Sequence, residues 1–183
     1  MRTLLALAAV PFLGLLALCG CGEKEPPSEV ATTIAGREGI AGSKEAIAEM
    51  ARKKGVAGLK ADLKSERSVV RMEAIAGLGT LKDNGEATKT LLEVANGNDL
   101  EDAYWGIIAL GVQGAAEGKA ALEKLAESPD AHRRAAVCLA IHEARDESLY
   151  PLLDTLVQDP DREVKGAATQ MKAKIAAGGP RAE

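Results

Sequence analysis

The sequence predicts an all-α fold: a solenoid of about four antiparallel helix pairs wound as a right-handed superhelix. Three observations carry this. Alanine occurs 34 times in 183 residues, while runs of Val, Ile, Thr and aromatic residues are scarce, which favours packed helices over a sandwich or barrel. Apolar residues from Ser43 onward recur at helical spacing. The apolar pattern also repeats itself, at intervals of 32, 31 and 31 residues.

The repeat is clearest in the second helix of each pair. Val70, Arg71, Ala74, Ile75, Leu78, Gly79 and Leu81 form an apolar stripe with a basic residue second. Gly106, Ile107, Ala109, Leu110 and Gly111 repeat it, followed by Arg134, Val137, Ala140 and Ile141, then Val164, Lys165, Ala168 and Met171. A turn precedes each stripe, at 65–68, 96–99, 128–131 and 159–162, and an amphipathic helix precedes each turn. Asp159-Pro160-Asp161 is the strongest turn signal, because Pro fixes φ and Asp caps the helix that follows. The basic residues Arg71, Arg134 and Lys165 are expected to bond acidic turn residues of a neighbouring repeat.

These units resemble the HEAT repeat family, in the short bacterial version also found in phycobilisome lyase subunits. The start of that family's unit is carried by Asp159, Pro160, Asp161, Glu163, Val164 and Lys165, and its middle by Val70, Arg71, Ala74, Leu78 and Gly79. Asp102 and Arg133 depart from the pattern where Val is usual, Ala103 where Arg is usual, and Lys172 where Leu is usual. The resemblance covers about 55–177, with Ser43–Lys54 as half of a degenerate leading repeat. It implies a protein-binding scaffold and no enzyme, since such repeats serve many unrelated partners. A role in handling a tetrapyrrole is the remote alternative it carries, and self-association as a structural envelope component is another.

The first 22 residues differ from all that follow. Arg2 is the only charge, and Leu4–Leu18 is an unbroken apolar run, shorter than the roughly 20 residues of a spanning helix. Leu18, Cys19, Gly20 and Cys21 then resemble the lipobox of bacterial lipoproteins, with Cys21 as the acylated residue. This implies a signal peptide over 1–20 and a lipid-anchored flexible linker over 21–42, holding a repeat domain of 43–177 and a disordered tail of 178–183. The expected location is the cell envelope, on the extracytoplasmic side of a membrane. Val30, Ile34 and Ile40 leave open that the linker packs on the first helix. After processing, Cys138 is the single free thiol, so no internal disulfide is expected.

Charge and motifs exclude much else. With 23 basic against 27 acidic residues there is no basic excess for a nucleic-acid backbone. Cys138 and His142 share a helix face, but a third metal ligand is missing, so neither a metal nor another cofactor is expected. No nucleophile elbow or phosphate-binding glycine loop is present. The candidate partner-binding residues are Tyr104 and Trp105, flanked in charge by Glu73 and Arg134. The two aromatics face Met72 and Glu73, Ala135 and Ala136, and Gly166 and Ala167 at the matching places of other repeats. Large rings beside small residues predict a shallow pocket on the concave face. Adjacent helix residues point about 100° apart, so unequal burial of the two is expected.

Overall fold

The computed structural model describes residues 38–178. Eight α-helices and no strand occur among the described residues. They are α1 (Glu38–Asp62), α2 (Ser68–Thr80), α3 (Gly85–Ala95), α4 (Leu100–Gln113), α5 (Ala116–Leu125), α6 (Ala131–Ala144), α7 (Tyr150–Leu156) and α8 (Arg162–Ala177). A 3₁₀ turn, Glu147–Leu149, leads into α7. The expected signal peptide, together with Cys21, Val30 and Ile34, and residues 179–183 of the expected tail lie outside the described residues. α1 starts at Glu38, before the linker boundary expected at 42. It is broken at Gly55, whose φ of 62° separates the half-repeat at its start from the first full pair.

Sequence dictates where the second helices begin. Asp99, Asp130 and Asp161 stand 31 residues apart and cap α4, α6 and α8. Each carboxylate accepts from a backbone N–H of the first turn, at 3.0, 2.9 and 2.8 Å. The stops are equally local: α4 ends at Gly114 with φ 73°, and α6 at Arg145 with φ 50°.

The four second helices α2, α4, α6 and α8 stack in a row, and α1, α3, α5 and α7 cover one flank of it. Neighbours in the row run parallel. Arg71 at the start of α2 bonds Asp102 at the start of α4, while Gln113 at the end of α4 donates to the Leu81 carbonyl at the end of α2. The core lies between the row and its cover. Ile75, Leu78, Leu91, Ile107, Leu110, Leu122, Ile141, Leu153 and Val164 are fully buried there.

Small residues set the spacing within the row. A Cβ at Gly79 would come within 3.1 Å of the Ala109 Cβ. One at Gly111 would sit 2.3 Å from the Ala140 carbonyl oxygen, so α4 and α6 touch backbone to backbone. Gln113 and Thr88 are the buried polar pair of this region. Thr88 donates to Gln113 Oε1 at 2.8 Å, and Gln113 Nε2 donates to Leu81 O at 3.1 Å, so both are satisfied.

Candidate interaction face

Arg71 and Arg134 form the expected ladder, whereas Lys165 bonds no acidic turn residue among the described residues, because no described repeat follows it. Arg71 reaches from α2 to the next repeat, bonding Asp102 at 2.7 Å and Asp99 at 3.3 Å, and it also holds the Ser65 carbonyl of its own turn at 3.1 Å. Arg134 does the same from α6. It bonds both oxygens of Asp159, at 2.7 and 2.9 Å, and the Ser128 carbonyl at 2.7 Å. Asp159 is almost fully buried, and the Arg134 guanidinium holds its carboxyl below the usual carboxylate range. In α4 the ladder position is Ala103, so no rung leaves that helix forward. Arg133 supplies it in reverse: from α6 it donates to the Gly97 carbonyl at 2.7 Å. Its Nε lies 3.8 Å from Asp130 and has no hydrogen bond. In sequence Arg133 is a departure from the repeat; a second cation beside Arg134, one repeat after the Ala103 gap, was the available signal.

This assigns Arg134 differently from the partner-flanking role expected of it. Its side chain is 13% exposed and its donors are committed to Asp159 and Ser128. Lys165, in the last repeat, is exposed; its charge also lowers the carboxyl of Asp159.

Tyr104 and Trp105 lie on the side of α4 away from α3. Gly106, next in sequence, faces the other way, with Val94 and Ala95 of α3 around it. Tyr104 sits two turns before Gly111, which touches α6, and so leans toward α6. Trp105 sits about one turn before Ala109, which touches α2, and leans toward α2. Their rings nevertheless meet edge to face, with centroids 5.4 Å apart and planes at 86°. Both are half-buried, so each keeps part of its surface outside the core. The edge-to-face contact draws the two side chains together over a single strip of surface.

Ala135 and Ala136, the matching residues of α6, are buried beside the pair. Gly166 in α8 has open space where a Cβ would be. Burial raises the Tyr104 hydroxyl above its ordinary pKa, and the Glu163 carboxylate adds to the rise. Glu73, in α2, is exposed. Two clefts among the described residues lie away from the aromatic pair. One, about 400 Å³, is lined by Gly114, Lys119, Ala144, Arg145, Asp146 and Glu147; the other, about 300 Å³, lies along α1 by Met50.

Cys138 is buried in α6 and donates to the Arg134 carbonyl; burial pushes its thiol up to about 12. His142, four residues on, contacts Glu143 at 3.3 Å. Among the described residues no three His, Cys, Asp or Glu side chains converge as metal ligands. No described helix is long and apolar enough to cross a membrane.

The fold and this face define an all-α solenoid of stacked helix pairs. Residues 88–173, from α3 into α8 and just under half of the chain, match the family of HEAT repeats. The first pair, α1 with α2, lies before the matched stretch yet continues the same row through Gly79 and Arg71. No curated protein matches the sequence.

Proposed function

We propose that this chain is a lipoprotein of the cell envelope, held on the extracytoplasmic side of a membrane through acylated Cys21, whose solenoid docks another protein. The docking face is the exposed side of α2, α4, α6 and α8, with Tyr104 and Trp105 as anchor and Glu73 beside them. The observation that carries this is the half-buried, edge-to-face aromatic pair on α4. Rigid aromatics that keep part of their surface outside the core are the residues that dominate protein interfaces. The HEAT-repeat match supports a scaffold role, and the leader with its lipobox-like end supports the anchor.

The test is cross-linking and affinity capture with the full-length chain, wild type against Tyr104→Ala/Trp105→Ala, read by mass spectrometry. Circular dichroism checks that both are folded. A partner held by the wild type and lost by the folded variant supports docking at this face. The same partner held equally by both refutes it. For the anchor, Cys21→Ala releases the protein from the membrane fraction; continued membrane association of that variant refutes acylation at Cys21.

A further inference from the structure

The charges around Tyr104 and Trp105 narrow the chemistry of what they bind. Every guanidinium at the starts of α2 and α6 that approaches the face is already engaged. Arg71 is paired with Asp99 and Asp102, Arg134 with Asp159, and Arg133 with the Gly97 carbonyl. The carboxylates are in the opposite condition. Glu73, Glu101 and Glu163 are exposed and make no side-chain hydrogen bond or ion pair among the described residues.

Their positions bracket the rings. Glu101 precedes Tyr104 and Trp105 by three and four residues, which puts it on their side of α4. Glu73 precedes Gly79 by six residues and Trp105 precedes Ala109 by four. Because Gly79 touches Ala109 and the helices are parallel, Glu73 and Trp105 lie within about 3 Å of one axial level. Glu163 is near enough from α8 for its charge to act on Tyr104. Exposed cations near the starts of the row are Arg67, which precedes α2, and Arg162 and Lys165 in the first turn of α8.

The apolar part of the patch extends past the rings. Val69 and Leu100 are the large hydrophobic residues most exposed to solvent among those described, at 51% and 50%. Leu100 is one turn before Tyr104, and Val69 one turn before Glu73. The strip therefore offers two exposed aliphatic side chains, two aromatic rings and three unpaired carboxylates.

We propose that the partner presents a cationic amphipathic segment, whose apolar side covers Val69, Leu100, Tyr104 and Trp105 and whose Lys or Arg side chains pair with Glu73, Glu101 and Glu163. The aromatic rings accept a cation as well as apolar contact, through their negative faces. Charge complementarity selects the sign of the partner and hastens its approach. This inference rests on the docking reading above and specifies its ligand.

Trp105 is the only tryptophan of the chain, so its fluorescence reports on this strip alone. The full-length protein is titrated with a synthetic amphipathic helix made only of leucine and lysine, and with the same helix carrying glutamate for lysine. The expected result is a saturable change in Trp105 emission with the lysine peptide and none with the glutamate peptide. Binding weakens as salt rises toward about 1 M, where the screening length falls to about 3 Å. The variant Glu73→Gln/Glu101→Gln/Glu163→Gln keeps the shape of exposed side chains and binds about tenfold more weakly. Equal binding of both peptides, no response to the lysine peptide, or unchanged affinity in the glutamine variant overturns the inference. Capture of a partner that survives these three substitutions but is lost with Tyr104→Ala/Trp105→Ala would leave docking intact and remove only its cationic chemistry.

Discussion

Gly111→Ala tests the packing of the row at its tightest point. The added Cβ would stand 2.3 Å from the Ala140 oxygen, 2.8 Å from its carbonyl carbon and 2.9 Å from its Cα. Ordinary contact begins at 3.4 Å, so the shortfall to the oxygen is 3.4 minus 2.3, or 1.1 Å. All three obstructing atoms are backbone, so no rotamer change relieves the clash, and α4 and α6 must separate. Overpacking of this kind costs about 3 kcal/mol at the upper end of its usual range. Alanine returns about 1 kcal/mol through its better helix propensity. The net loss is about 2 kcal/mol, or about 4–8 °C in Tm for a domain of this size. Gly166→Ala is the internal control, because nothing lies within 4 Å of a Cβ there. It gains propensity without a clash and raises Tm by about 2–4 °C. Gly79→Ala, with contacts of 3.1–3.3 Å, falls between the two. Thermal unfolding of the three variants by circular dichroism gives the order. A Gly111→Ala protein as stable as wild type would refute the account of how α4 and α6 are held.

Three further outcomes follow from the ladder and the buried thiol. Arg134→Ala leaves the buried Asp159 without its two bonds and costs about 3 kcal/mol in chemical denaturation, whereas Lys165→Ala changes stability by less than about 0.5 kcal/mol. The carboxyl of Asp159 is lowered chiefly by Arg134, and that of Asp146 is lowered to about 2 chiefly by Lys119. Both carboxylates therefore stabilise the fold fully above their unfolded pKa of about 4. That stability is lost as pH falls from there toward 2, so the urea midpoint drops across this window, and a midpoint constant from pH 5 to 2 would contradict it. Cys138, at zero exposure and with its thiol near 12, resists thiol reagents in the folded protein and reacts on unfolding, read by mass mapping of its peptide.

The sequence disclosed the architecture because each helix pair writes its own boundaries. Asp99, Asp130 and Asp161 recur at one interval and cap as their residue type predicts. The second-place cations Arg71 and Arg134 likewise found acidic partners one repeat away. Relations that depend on the distance between backbones were hidden. Gly79, Gly111 and Gly166 read as similar small residues, yet one is tight, one is in backbone contact and one is open. Arg133 read as a fault in the repeat because the pattern describes forward rungs, and its partner is a carbonyl 36 residues back. At the aromatic pair, position along α4 was legible, but helix angles do not reveal that two adjacent rings bend toward each other. Small neighbours can make a pocket or let helices close up, and Gly111 against Ala140 shows the second outcome here.

The reach of the ladder sets how the chain acquires its structure. Among the described residues the side-chain hydrogen bond of greatest sequence separation, from Arg133 to Gly97, spans 36 residues, and the rungs at Arg71 and Arg134 span 31 and 25. Contacts so short in sequence require little loop closure, and folding times shorten accordingly. A repeat is complete once the next one has emerged, whichever end is made or delivered first. A chain threaded through a narrow channel would thus order itself in instalments, leaving only about one unit of apolar surface uncovered at a time.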